Sequence, residues 1–327
     1  MKTTSTKLPT SSKPFTQTKT TSREFTITTL PYLSYGAYSQ KTYGMKVYKI
    51  PIHLKGTCPN RDGTKGRGGC IFCGEEGGSF DWVQGSIREQ YRRNKERIVK
   101  RYKAKGFIAY FQNFTGTYLP IEDFRKSLEE IALEHPLGVS ISTRPDCLGD
   151  EYLDCAETLF GADNVTFELG LQSANDETLS LLNRGHCVED YRRGACRLKE
   201  RGFRLSTHMI LDLPWDDEED IVEGAKLLNR VRSDEVKIHN LYVPKGTKLA
   251  DLYRSGEFQP ILMESFMERV IMFLEHLDPE MVIGRMLGRA PEENVLFANW
   301  GRSWFYIRDE IIRRMEREGR RQGRLFR

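Results

Sequence analysis

The sequence predicts an α/β protein built as a partial (β/α)6 barrel of the TIM type with a C-terminal extension. Three observations lead there. Six short β-rich runs recur between residues 47 and 243, each but the last followed by a polar loop and one or two helical stretches. Alternation of this kind implies parallel strands joined by right-handed helical crossovers. Finally, 327 residues suffice for one large α/β domain with an appendage.

Taken in order, the β-rich runs lie at 47–54, 107–112, 138–143, 165–172, 204–211 and 235–243, and the helical stretches at 87–105, 121–134, 150–159, 176–183, 188–201 and 218–231. Six strands favour a partial barrel, although spacing alone also allows a doubly wound sheet. After residue 243 the rhythm changes to a loop and short helix (245–258), a longer helix (262–277), an extra strand (281–286) and a terminal helix (303–318). The expected organisation is a Ser/Thr/Lys-rich disordered tail over 1–24, a barrel core over 25–243 and a helical and strand extension over 244–327 that contacts substrate. No internal sequence repeat is visible beyond the β/α rhythm.

Composition excludes several classes. Hydrophobic residues make up 39% of the chain and charged residues 29%, ordinary values for a soluble globular protein. No apolar run approaches bilayer length, so no membrane partner is expected. Residues 1–23 contain no acidic residue and lack the apolar core of a secretory signal. An organelle transit peptide is the alternative to a disordered tail, disfavoured because arginine is nearly absent there. Seven cysteines, three of them within sixteen residues, point to a reducing, cytoplasmic setting and a metal centre rather than a disulfide framework.

The net charge of +4 announces no polyanionic partner by itself. Basic residues do cluster at 88–105 and in the tail, where Arg313, Arg314, Arg317, Arg320, Arg321, Arg324 and Arg327 follow closely. Either run could bind phosphates or form a solvated helix face, since Glu89, Glu96, Glu316 and Glu318 interrupt them.

The strongest chemical signal is Cys58-Pro59-Asn60-Arg61-Asp62-Gly63 leading to Cys70-Ile71-Phe72-Cys73, a C-x11-C-x2-C arrangement in a glycine-rich loop after the first strand. Thiolates suit zinc or iron–sulfur centres. A structural zinc site closes with four ligands, whereas a cubane held by three thiolates leaves one iron open. Gly56, Gly63, Gly66, Gly68, Gly69 and Gly74 let the loop wrap a bulky core, and Phe72 can cover it. The zinc alternative needs a fourth ligand, for which His53 is the nearest candidate. Cys147, Cys155, Cys187 and Cys196 read as small buried thiols.

The stretch from Gly44 to Pro51, the cysteine loop, Ala109-Tyr110-Phe111-Gln112, Ser142-Thr143-Arg144-Pro145-Asp146-Cys147, Glu168-Leu169-Gly170-Leu171-Gln172-Ser173, Asn183-Arg184-Gly185-His186 and Val236-Lys237-Ile238-His239 together resemble the YtqA/YhcC family of radical S-adenosylmethionine (SAM) proteins, relatives of the elongator-type and HemN-type enzymes. The resemblance runs roughly from Gly44 to Trp300. It implies a [4Fe-4S] cluster on Cys58, Cys70 and Cys73, SAM chelating the fourth iron, and an electron donor such as flavodoxin or ferredoxin. Cleavage of SAM then yields a 5′-deoxyadenosyl radical.

The resemblance also places SAM contacts at Gln112, Thr115, Thr143, Arg144, Gln172 and Arg184. Arg144 and Arg184 are suited to the SAM carboxylate, the alternative for Arg144 being an internal ion pair with Asp146. Glu168 shares its strand face with Gln172 and is grouped with the cofactor-binding residues. His239, Lys237 and His208 are interior-facing candidates for proton exchange with substrate, His239 ranking first; a satisfied core histidine is the alternative reading. Two departures weaken the substrate assignment: Asp212-Leu213-Pro214-Trp215-Asp216 stands where Gly-Leu-Pro-Gly-Glu is usual, and Gly284-Arg285 and Gly288-Arg289-Ala290-Pro291 stand where relatives show His-Arg and Gly-Asp-Ala-Pro. For YtqA-type proteins the implied reaction is at the tRNA wobble uridine, 5-carboxymethylaminomethyluridine becoming 5-aminomethyluridine, with the anticodon arm as partner. A radical SAM enzyme for a small metabolite or a protein side chain, and a non-catalytic scaffold of the same fold, are the alternatives.

Overall fold

The computed structural model describes residues 30–75, 77, 84–288 and 292–327; the expected tail over 1–24, and Arg289, Ala290 and Pro291, lie outside the described residues. The chain runs through α1 (Tyr35–Tyr43), β1 (Val47–Ile52), α2 (Ile87–Tyr102), β2 (Gly106–Phe111), α3 (Ile121–Ala132), β3 (Val139–Thr143), α4 (Asp150–Phe160), β4 (Val165–Gln172), α5 (Asp176–Leu181), α6 (Val188–Glu200), β5 (Arg204–Ile210), α7 (Glu218–Arg230) and β6 (Glu235–His239). It continues through β7 (Val243–Pro244), α8 (Lys248–Ser255), α9 (Met263–His276), β8 (Val282–Arg285), β9 (Val295–Phe297) and α10 (Trp304–Glu318). No described helix is long and apolar enough to cross a membrane.

One sheet takes the order β1-β2-β3-β4-β5-β6-β8, every neighbour parallel, and β7 pairs antiparallel with β9. This is the partial barrel anticipated, with a seventh strand. β8 is the stretch the sequence marked as an extra strand; two helices intervene before it, so it stood outside the six-unit rhythm. The unforeseen elements are β9 and α1; α1 buries only Ser39 and so carries little apolar periodicity. It touches both β1 and β8 at the open side of the sheet, and the segment before it adds a bridge from Ser34 to Ile283.

Side-chain alternation along the strands decides what the barrel contains. Ile50, Ile52, Phe111, Ile141, Phe167, Leu169, Val236 and Ile238 point outward and are buried in the shared hydrophobic core. The opposite face carries Lys49, Tyr110, Ser140, Ser142, Glu168, His208, Lys237 and His239. Parallel sheets usually read as apolar on both faces, so a polar inner face marks the interior as a site rather than a packed core.

The two basic runs are placed differently. Gln90 bonds the backbone of His53, Asn94 donates to the carbonyl of Pro51 at 2.8 Å, and Tyr102 stacks on Tyr48. α2 therefore runs antiparallel to β1, with Arg88, Arg92 and Arg93 toward the end of β1 that leads into the cysteine loop and Lys103 and Lys105 at the opposite end. In the tail, Arg313 pairs with Glu310, Arg314 with Glu268, Arg317 with Glu318, Arg320 with Glu268 and Glu275, and Arg324 with Glu275. Arg314, Arg320 and Arg324 clasp α10 and the chain end onto α9, while Arg313 and Arg317 pair within α10; these internal pairs match neither the phosphate-binding run nor the solvated helix face read from the sequence.

Glu275 is 2% exposed and holds two of those guanidinium groups. Glu275→Gln leaves Arg320 and Arg324 short of their counter-charge in a partly buried setting, and the unfolding free energy should fall by about 2 kcal/mol in urea titration. A change below about 0.5 kcal/mol would mean that the clasp contributes nothing to stability.

Candidate functional site

Five strands converge on one carboxylate. Glu168, on β4 and 1% exposed, accepts hydrogen bonds from Lys49 Nζ on β1 (2.8 Å), Ser140 Oγ on β3 (2.5 Å), His208 Nε2 on β5 (2.8 Å) and Lys237 Nζ on β6 (2.5 Å). Lys49 also reaches Glu235 at 2.9 Å. Lys237 Nζ stands 4.1 Å from the ring centre of Tyr110, whose hydroxyl accepts from Ser142 Oγ at 3.2 Å. The rings of His208 and His239 lie 5.0 Å apart, and Arg285 Nη2 approaches the nitrogens of His239 at 3.0 and 3.1 Å.

The electrostatics follow from burial set against these partners. Burial opposes ionisation of Glu168, but Lys237, Lys49 and His208 outweigh it and hold the carboxyl well below its usual range. Burial likewise opposes the charge on Lys49, and Glu168 with Glu235 reverse that. For Lys237 burial prevails over Glu168, and the ammonium is brought down to about 8, within reach of proton exchange near neutral pH. Burial, joined by Arg285 and His208, depresses His239; burial also depresses His208 despite Glu168. Both imidazoles are therefore neutral at pH 7.

The cysteine loop is tied down from a distance. Asn60 donates to the Asn183 carbonyl, Asn183 Nδ2 to Gly69 O at 2.8 Å, and Ile71 N to Leu182 O at 3.1 Å. Gly185, in the left-handed region at φ +65°, lies so close to Asn60 that a Cβ there would sit 2.7 Å from its side-chain oxygen. Two of the thiols face guanidinium groups: Arg184 Nη1 is 3.1 Å from Cys70 Sγ, and Arg61 Nη1 is 3.4 Å from Cys73 Sγ. Burial pushes the Cys73 thiol up, with Cys70 adding to the rise and Arg61 opposing it. Among the described residues, no group of three or more His, Cys, Asp or Glu is gathered to hold a metal ion.

All thirteen residues singled out from the sequence line one cavity of about 450 Å³ at the C-terminal ends of the strands. They are Cys58, Cys70, Cys73, Gln112, Thr115, Thr143, Arg144, Glu168, Gln172, Arg184, His208, Lys237 and His239. His53 does not line it. Arg144 makes the internal pair weighed above: its Nε and Nη2 each bond Asp146 at 2.9 Å, while Nη1 and Nη2 also donate to the carbonyls of Arg184 and Gly185. Four of its five N–H groups are thus engaged within the protein. Gln172 stands at φ +82° beyond a register shift in β4, a strained conformation for a residue with a side chain. Gly170 makes room for it, since a Cβ there would come within 2.9 Å of the Gln172 amide nitrogen and 3.0 Å of Arg184 Nη2.

Sequence reasoning passed over Lys49, Arg61 and Tyr110 as site residues, and gave Arg285 no role. Lys49 was signalled by its place, a lone charge in a strand otherwise apolar and aromatic. Arg285 had no such signal, because β8 is only four residues long.

Comparison with known proteins gives a consistent picture. Residues 60–228 match the Radical SAM superfamily and residues 233–317 the Radical_SAM C-terminal domain. The uncharacterized protein YtqA of Bacillus subtilis is 33% identical over 299 residues, covering 90% of this chain and 92% of that protein. The tRNA uridine(34) acetyltransferase of Methanocaldococcus jannaschii is 31% identical over 168 residues, which are 50% of this chain and 30% of that protein. The structure of archaeal Methanocaldococcus infernus Elp3 with its N-terminus deleted shares the fold, with a TM-score of 0.63 at 22% identity over 84% of this chain and 64% of that one.

Asp212, one of the departures noted in the sequence, is buried beside the cavity and accepts from Leu241 N at 2.7 Å. Burial raises its pKa from 3.8 to about 7. Between those values the folded chain binds the proton and the unfolded chain does not, so stability falls as pH rises, by at most about 1.4 kcal/mol per pH unit. Asp212→Asn keeps an oxygen for Leu241 and should flatten the decline in unfolding free energy between pH 5 and pH 7 relative to wild type. Identical slopes for the two proteins would show that Asp212 does not hold its proton in the fold.

Proposed function

This chain belongs to the radical SAM superfamily, whose cofactors are a [4Fe-4S] cluster and SAM, and we propose that it modifies tRNA at the wobble uridine, converting 5-carboxymethylaminomethyluridine to 5-aminomethyluridine. The observation that carries the tRNA reading is the likeness, over half of the chain, to an enzyme named for tRNA uridine 34.

The residues present fit both groups. Three thiols border one cavity, two of them beside guanidinium groups. Buried polar atoms stand ready for a ligand: among the described residues, neither Thr115 Oγ1 nor Arg184 Nε has a hydrogen-bond partner. Cys58, Cys70 and Cys73 would hold the cluster, and Gln112, Thr115, Thr143, Gln172 and Arg184 would hold SAM, with Arg144 bracing the Arg184–Gly185 backbone. When bound, cluster and SAM would supply a 5′-deoxyadenosyl radical able to abstract hydrogen from the carboxymethyl carbon; transfer of one further electron to an acceptor such as the cluster or a bound redox protein, and addition of water, would release the two-carbon unit as glyoxylate and leave the primary amine.

The chain's own residues do the rest. Phe72 and Phe114 line the cavity and help exclude water from it. Glu168 fixes Lys237 and His208 at set positions, and Lys237 is the group placed to hold or release a proton at the amine that loses its carboxymethyl substituent. The extension after residue 243 contributes Arg285 to the wall, in keeping with a substrate-contacting role. Partners on this reading are the tRNA anticodon arm and a flavodoxin or ferredoxin donor.

The test is anaerobic cluster reconstitution followed by incubation with SAM, dithionite and bulk tRNA. Formation of 5′-deoxyadenosine should accompany loss of the carboxymethylaminomethyl nucleoside and gain of the aminomethyl one, and Cys70→Ala should bring both below detection. If 5′-deoxyadenosine forms while tRNA stays unchanged, the radical chemistry holds and the substrate is instead a small metabolite or protein side chain.

A further inference from the structure

We propose that Arg285, backed by the ring of His239, forms a binding subsite for a substrate carboxylate. The proposal rests on the wobble-uridine reading only in naming that carboxylate as the one on the carboxymethylaminomethyl group.

Inside the barrel Lys49 and Lys237 face Glu168 and Glu235, two cations against two carboxylates joined in one network. Arg285 adds a fifth charge at the same wall, brought opposite Lys237 by a register shift between β6 and β8. Its neighbours His239 and His208 are neutral, so they add no further positive charge. Among the described residues no carboxylate pairs with Arg285, and its hydrogen-bonding contact is with His239.

The other guanidinium groups lining the cavity are bound at their terminal nitrogens within the protein. Arg144 is bound to Asp146 and two carbonyls, Arg184 to Cys70, Gly170 and His186, and Arg61 to Cys73 and Gly74. Arg285 is also exposed along the cavity wall, whereas Arg144 and Arg184 are buried. A planar fork held against an imidazole and open to the cavity matches a carboxylate by two parallel N–H bonds. Gly284 serves the same arrangement, because the Glu235 side chain occupies the space where a Cβ would lie.

The subsite also distinguishes substrate from product. The carboxymethylaminomethyl group presents an anion to Arg285. Both nucleosides carry an ammonium, and loss of the carboxymethyl portion removes the carboxylate that offsets it, so the product presents to Arg285 a cation with no anion to bind. Binding is thereby biased toward the unreacted nucleoside.

The experiment uses reconstituted holoenzyme with saturating SAM and tRNA carrying the carboxymethylaminomethyl nucleoside. Arg285→Gln should raise KM for tRNA about 10- to 100-fold, the effect of losing charge-assisted hydrogen bonds. Substrate-free formation of 5′-deoxyadenosine should stay within twofold of wild type, and Arg285→Lys should recover part of the loss. A KM within twofold of wild type for Arg285→Gln, or an equal loss of substrate-free SAM cleavage, overturns the assignment. A second readout is independent of turnover: phenylglyoxal labelling of Arg285, followed by peptide mass spectrometry, should be slowed by N-methylglycine and not by dimethylamine. Protection without any wild-type action on tRNA overturns the wobble-uridine reading alone. Wild-type turnover with no protection and an unchanged KM in Arg285→Gln overturns the Arg285 subsite alone.

Discussion

The barrel is organised around a carboxylate that cannot stand alone. An ionised carboxyl group taken out of water costs several kcal/mol unless it is paired and hydrogen-bonded. Glu168 meets that demand with donors from β1, β3, β5 and β6, so one side chain on β4 registers five strands against each other. Truncating any donor would disturb the compensation of the others. The same network places an ammonium and two imidazoles at the mouth of the barrel, where chemistry in β/α folds takes place.

The loop carrying the three cysteines obeys a related constraint. It has almost no regular structure, so its shape must come from contacts elsewhere. Asn60, Asn183 and the left-handed Gly185 supply them, linking the loop to the turn between α5 and α6. Arg184, in that turn, contacts both Cys70 and the backbone of β4 beside the strained Gln172. The thiols, the strained strand end and the Asn183-Arg184-Gly185-His186 motif therefore form one mechanical unit, which explains why motifs so far apart in the chain behave as parts of a single site.

Much of this was legible in the sequence because strands alternate. In Val165–Gln172 the outward residues are Val, Phe, Leu and Leu and the inward ones Thr, Glu, Gly and Gln, so parity alone put Glu168 and Gln172 on one face. The same rule joined Lys237 to His239. What stayed hidden depended on contacts between distant segments. The tail arginines look like a phosphate-binding strip until α9 is folded against them with Glu268 and Glu275. Arg144 looks available until the Arg184 and Gly185 carbonyls arrive from the other side. α1 packs through tyrosines at the edge of the sheet and has no apolar stripe to announce it.

The sheet does not close by hydrogen bonds between β1 and β8, and the way its seam is held bears on access. Lys49 crosses the interior from β1 to Glu235 on β6, while α1 touches both edge strands. These contacts belong to the floor and middle of the barrel, so the mouth, where Arg285 ends β8, is not bound to the same restraint. A complete ring of backbone bonds would have fixed the mouth at the width of the floor. An open seam braced from below lets a rigid interior, needed to keep Glu168 compensated, coexist with a mouth that backbone bonding does not hold to the width of the floor.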